Sequence, residues 1–180
     1  MKYREIALPV VILAAGCVIC CTDAVAQGFS APAQAPWGKA ADNKILAQQV
    51  VNEIMAANSD LVSLGLHSVP PGVAAKPGEV GQVIIAQVAD RIGAPDGAGD
   101  LEVSKQEQVR IYQAKLDGVM RERVMAPLRD GAGRTIGLAV LLFKLAPGVT
   151  ALSAHMRAEA ILTELAKRFP DQDSLFRPAP

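Results

Sequence analysis

The chain has 180 residues, 51% hydrophobic, 20% charged and only 4% aromatic, with 18 basic and 18 acidic side chains that cancel. That length suits one domain around one core. A neutral surface with few aromatics lacks the basic footprint of a nucleic-acid binder or of a protein held on anionic lipid, so neither partner is expected.

The first residues read as an export signal. MKYRE is a short charged start, Ile6 to Cys21 is an apolar run broken only by Pro9, and Ala24-Val25-Ala26 is an A-x-A site before Gln27. This order marks a secretory signal peptide over residues 1–26. The run is shorter than the ~20 residues of a spanning helix. Lipidation at Cys17 is the alternative, although Ala14 stands where a large aliphatic residue is usual. Cleavage removes Cys17, Cys20 and Cys21, leaving no disulfide, thiolate or Cys-ligated metal, and no membrane association. A secreted or periplasmic location follows.

Residues 27–38, QGFSAPAQAPWG, are a period-free leader containing Trp37. From Ala40 a helical period begins: Leu46, Val50, Ile54 and Ala57 recur at three- and four-residue steps, with Asp42 as the expected N-cap and Asn58-Ser59-Asp60 as the stop. In residues 61–69 the period drops to two. Val62, Leu64 and Leu66 point one way; Ser63, Gly65 and His67 point the other, before Pro70-Pro71-Gly72 ends the strand. A second strand spans residues 82–91, opening on a Val-Ile-Ile run. IGAPDGAGD is a turn region in which Asp100 caps a short helical turn through Gln106. Residues 108–116 and 119–129 are strands joined by Asp117-Gly118, a strong hairpin signal. In the second of these Met120, Val124, Ala126 and Leu128 share one face, and Arg121, Arg123 and Met125 the other. A helix over residues 103–123 competes, since Lys, Gln, Glu and Met favour it. Residues 136–145 are apolar on both faces and belong at the centre of the sheet, ended by Pro147-Gly148. A last helix over residues 151–169 carries the stripe Ala158, Ile161, Leu162, Leu165, Ala166 and Phe169. Residues 171–180 are a tail after a domain of residues 39–170. Strands clustered between flanking helices, with hairpin-length links, predict an α+β domain.

VMAPLRDGAGRTIGLAVLLFKL, residues 124–145, resembles the closing hairpin of the PAS-like extracytoplasmic sensor modules called Cache domains: a strand ending in Pro-Leu, an Asp/Gly turn, Arg, then Ile-Gly and an apolar strand. LGLHSVPPG and VIIAQVADRIG are similar to segments of small secreted proteins of this type. The resemblance implies a central antiparallel sheet of about five strands, flanked by a long N-terminal helix and a C-terminal helix. It also implies a small ligand on the sheet face away from the long helix. The chain ends at Pro180 with no second apolar span, so such a receptor needs an envelope partner to pass on a signal.

On that face Ser63 and Gly65 leave room, and His67 offers a hydrogen-bonding imidazole; a structural histidine beside a turn is the alternative. Arg91, Tyr112, Arg121 and Arg123 join them as candidate ligand contacts, guanidinium groups suiting a carboxylate-bearing ligand. Solvated strand charges are the competing account of the arginines. Lys144 is expected to snorkel at a strand end. Catalytic patterns are thin. Ser63 and His67 stand roughly 13 Å apart on an extended strand, beyond a nucleophile–base bond. His155 forms no HxxxH or HExxH pair, and GAGRTIG leads into a strand, unlike a dinucleotide loop. The expectation is therefore a small-molecule-binding module acting as receptor or accessory subunit, with no cofactor, no metal and no enzymatic activity. A structural envelope protein with a vestigial pocket is the alternative, and a hydrolytic enzyme the third reading.

Overall fold

The computed structural model describes residues 38–145 and 150–180. The expected signal peptide, Trp37 and the expected Pro147-Gly148 stop lie outside these residues. A 3-10 turn, Ala40–Asp42, precedes α1 (Leu46–Ala57); then come β1 (Leu61–Ser68), β2 (Val83–Gln87), α2 (Ala98–Gln106), β3 (Arg110–Leu116), β4 (Val119–Arg129), β5 (Thr135–Lys144) and α3 (Ala151–Arg168). The strands form one antiparallel sheet in the order β2-β1-β5-β4-β3. The α+β class and the five-stranded sheet are as expected, and the apolar β5 is the central strand.

The two faces of the sheet are packed differently. On one, Val50, Val51 and Ile54 of α1 and Ala158, Ile161 and Leu165 of α3 bury against Leu64, Leu66, Val124, Leu128 and Leu141 in a continuous core. On the other, α2 contributes Val103 to a small cluster with Met125, Leu138 and Val140. No helix among the described residues is long and apolar enough to cross a membrane.

Several sequence expectations are corrected locally. The first helix starts at Leu46 instead of Ala40, and at 12 residues it is not long. Asp42 does not cap it. The chain before it is extended: Ile45 bridges Pro178, and the Leu46 N–H donates to the Arg177 carbonyl at 2.7 Å. Residues 171–180, set apart as a tail, thus complete the start of α1, and Leu175 is fully buried. Alternation along β1 is reset by a bulge between Leu61 and Ser63, which sends Leu61 into the core and leaves Val62 half-buried. β2 stops at Gln87, because the chain bends at Val88–Asp90 and Asp90 accepts from the Ala40 N–H. The competing helix over residues 103–123 is absent: α2 ends at Gln106, with Glu107 left-handed at φ 54°. Asp117 (φ 48°) and Gly118 (φ 79°) then make the two-residue turn that primed hairpins require. Asp100 lies inside α2, accepting from the Gly97 N–H at 3.2 Å. Lys144 ends β5 as expected, its Nζ donating to the Ser59 carbonyl at 2.6 Å.

Gly137 of β5 is where β1 and β5 approach most tightly: a Cβ there would run into the carbonyl oxygen of His67. Gly137→Ala should lower stability by about 2 to 3 kcal/mol, measured by urea unfolding. A change below about 0.5 kcal/mol would show that β1 has room to retreat.

Candidate functional site

The face of β1 that carries Ser63, Gly65 and His67 is left uncovered by the helices of the main core and floors a cavity of ≈ 330 Å³. Val140 and Leu142 of β5 and Ile84 and Gln87 of β2 continue the floor, Arg123 of β4 enters from one side, and residues 89–100 form the roof. The roof is positioned by backbone pairing. Ile84 N–H donates to Ala94 O at 2.9 Å, Gly93 N–H to Ile84 O at 2.8 Å, and Asp96 N–H to Gln82 O at 3.1 Å. Residues 93–96 thereby cover the outer edge of β2, a row of backbone groups that would otherwise invite strangers, and deliver Asp96 over His67.

There the roof is tied to the floor. His67 Nδ1 lies 2.7 Å from Asp96 Oδ1, with side-chain exposures of only 7% and 0%. An ionised carboxylate can only accept, so Nδ1 carries a proton in this pair. The second oxygen of Asp96 accepts from Gln82 Nε2 at 2.6 Å; Gln82 Nε2 also donates to Ser104 Oγ of α2 at 3.1 Å, and its Oε1 accepts from the Gly78 N–H at 2.8 Å. A continuous polar chain thus fastens β1, the loop and α2, its links buried or part-buried and each partnered, as a low-dielectric interior demands. Asp100 accepts from Arg123 Nη2 at 3.2 Å, closing the side of the cavity.

Ligand atoms of His67, Asp96 and Asp100 lie within 4.8 Å of one another, a grouping the sequence reading did not foresee. Both carboxylates are already committed: each oxygen of Asp96 and of Asp100 accepts a hydrogen bond from the chain itself. The arrangement is a hydrogen-bonded clamp.

Five of the seven expected contacts line the cavity: Ser63, Gly65, His67, Arg91 and Arg123. Arg91 does so from the loop after β2, not from the strand. Tyr112 and Arg121 do not reach it. Tyr112 lies under the Arg123 guanidinium, 5.7 Å from ring centre to Cζ, and donates to Met125 Sδ at 3.3 Å, so it supports Arg123 from behind. Arg121 sits further along β4, opposite Ala114 and Lys144. Sequence reading missed Asp96, Asp100, Gln82 and Gln87. The available signal was the pair of aspartates around Gly97 at a helix start, a pattern with caps as its ordinary use.

No family model and no curated protein matches the chain. Among solved structures it is similar to a protein from Burkholderia vietnamiensis described as a GAF sensor, with a TM-score of 0.50, 13% identity and coverage of 71% of this chain and 76% of that one. It is also similar to a type II free methionine-R-sulfoxide reductase from Thermoplasma acidophilum, at 0.47 and 12%, covering 77% and 97%. The chain thus has a GAF-like α+β fold. The likeness reaches that general fold, and the finer Cache assignment goes beyond it. The expectation that the chain is no enzyme is corrected by the second structure, an enzyme among the chain's neighbours; fold alone assigns neither role.

Asp96→Ala removes one end of the clamp and leaves the His67 N–H buried without its acceptor. It should cost about 2 kcal/mol in chemical denaturation, and ¹⁵N ring spectra of the parent protein should show neutral His67 protonated at Nδ1. Finding the proton on Nε2 would contradict the clamp.

Proposed function

We propose that this chain is an exported, secreted or periplasmic small-molecule-binding domain of the sensor type, acting as a receptor or as the accessory subunit of an envelope partner. The observation that carries the reading is the ≈ 330 Å³ cavity over the side-chain-poor face of β1, apolar in body and with a few converging polar groups. The GAF-like fold supports it, and the sequence of residues 1–26 supports export. Arg91 and Arg123, which line the cavity, suit a carboxylate on the ligand. The alternative of a vestigial pocket requires that space to be filled by the protein's own side chains; the open cavity speaks against it. That alternative also calls for an apolar patch on the first helix, whereas α1 exposes Asn52, Glu53, Ala56 and Ala57.

Thermal shift of ligand-free protein against a panel of small acids, amines and heterocycles tests the reading. A true ligand at a hundred times Kd adds about 2.7 kcal/mol, a rise of roughly 5 to 10 °C at this size. Ser63→Phe, which fills the cavity from its half-buried edge, should abolish the rise. A panel without any hit, or a hit that survives Ser63→Phe undiminished, would contradict it.

A further inference from the structure

We infer that the part of the cavity beside His67 and Gln87 recognises a hydrogen-bond donor on the ligand, a primary ammonium group. The inference rests on the cavity being a ligand site. It starts from an acceptor with nothing to accept. Gln87 is only 7% exposed, and both of its hydrogen bonds among the described residues are made by its backbone. Its N–H donates to Gln48 Oε1 of α1 at 3.1 Å, and its carbonyl accepts from Gln48 Nε2 at 2.9 Å. The side chain is thus held at its base and left unpaired at its tip. Its Nε2 is buried without a partner among the described residues, while its Oε1 lies 3.6 Å from where a Cβ on Gly65 would stand. Buried polar atoms are almost always partnered, so an open acceptor in a cavity wall calls for a donor from outside the chain.

His67 Nε2 borders the same space, 3.2 Å from that Cβ position. The ring's Nδ1 proton is directed at Asp96, so a neutral imidazole offers Nε2 as a second acceptor there. Gly65 stands directly opposite Gln87 on the neighbouring strand, and a side chain in its place would fill the space both atoms border. The carboxylates of Asp96 and Asp100 line the cavity on this side as well. Acceptors backed by carboxylates favour a positive donor and repel an acid. An ammonium group brings three N–H donors and no acceptor, and the apolar Ile84 and Val140 suit the carbon that carries it. The carboxylate contact proposed above is a separate subsite. Arg123 stands on β4, two strands from Gly65, roughly 10 Å across the sheet at ~4.8 Å per strand.

Three probes test this in ¹⁵N chemical-shift titrations of the purified chain at pH 7.5: benzylamine, benzyltrimethylammonium, which keeps the charge but has no N–H, and benzoate. Benzylamine should move the Gly65 and His67 signals and bind about tenfold more tightly than either of the others at this end. The comparison of probes needs no variant. Two variants then act in opposite directions: Gln87→Leu should weaken benzylamine binding about tenfold, and Gln87→Glu, which adds a negative charge, should tighten it. Equal affinity for the two cations, tighter binding of benzoate beside Gly65, an unaffected Gln87→Leu variant or a weakened Gln87→Glu variant overturns the ammonium subsite while leaving a binding pocket in place. No shift in any cavity signal with all three probes overturns the subsite as well, and the fate of the pocket then rests on the metabolite panel alone.

Discussion

The hydrogen bond from His67 to Asp96 is the constraint on which the site depends. It joins the far end of β1 to a loop that owns almost no core of its own, and through Gln82 it reaches Ser104 of α2. Beside it the roof is held by the short backbone pairing along β2 and with Gly38, by the bonds from Gln82 to Asp96 and from Arg123 to Asp100, and by the four-residue cluster around Val103. A polar tie of this kind is directional. It fixes the distance between roof and floor instead of drawing them together, which a purely apolar contact would do by expelling the space between them.

That difference explains why one face of the sheet is solid and the other hollow. Facing α1 and α3, large side chains from both layers are buried together, including the fully buried Phe143 and Phe169. Facing α2, β1 offers serine, glycine and a histidine already turned toward its aspartate. Nothing on that stretch can fill the gap. Arg123 is likewise kept to one side, between the ring of Tyr112 and the carboxylate of Asp100. The cavity follows from where bulk was withheld.

Much of this was legible in the sequence because it is written locally. The three- and four-residue steps of Leu46, Val50 and Ile54, the Asp117-Gly118 turn, and the alternation that separates Leu64 and Leu66 from Ser63, Gly65 and His67 each depend on neighbours along the chain. What was missed depends on neighbours in space. Asp96 reads as a turn residue until β2 turns its loop back over His67, 29 positions away. Gln87 reads as the polar end of a strand until Gln48 of α1 pins it. Alternation put Arg121 on the same face as Arg123, yet it carries no measure of distance along the strand, and neither Arg121 nor Tyr112, named only for its place on the meander, lines the cavity. The helix start was misjudged because Ile45 is held extended by Pro178 at the other end of the chain.

A high-resolution crystal structure of the purified protein tests the central claim most directly. The account predicts His67 turned onto Asp96 and an open cleft above Gly65, with density for water or a small molecule in hydrogen-bond reach of His67 Nε2 and the Gln87 side-chain amide. A cleft closed by the protein's own side chains, or an imidazole rotated away from Asp96, would contradict it.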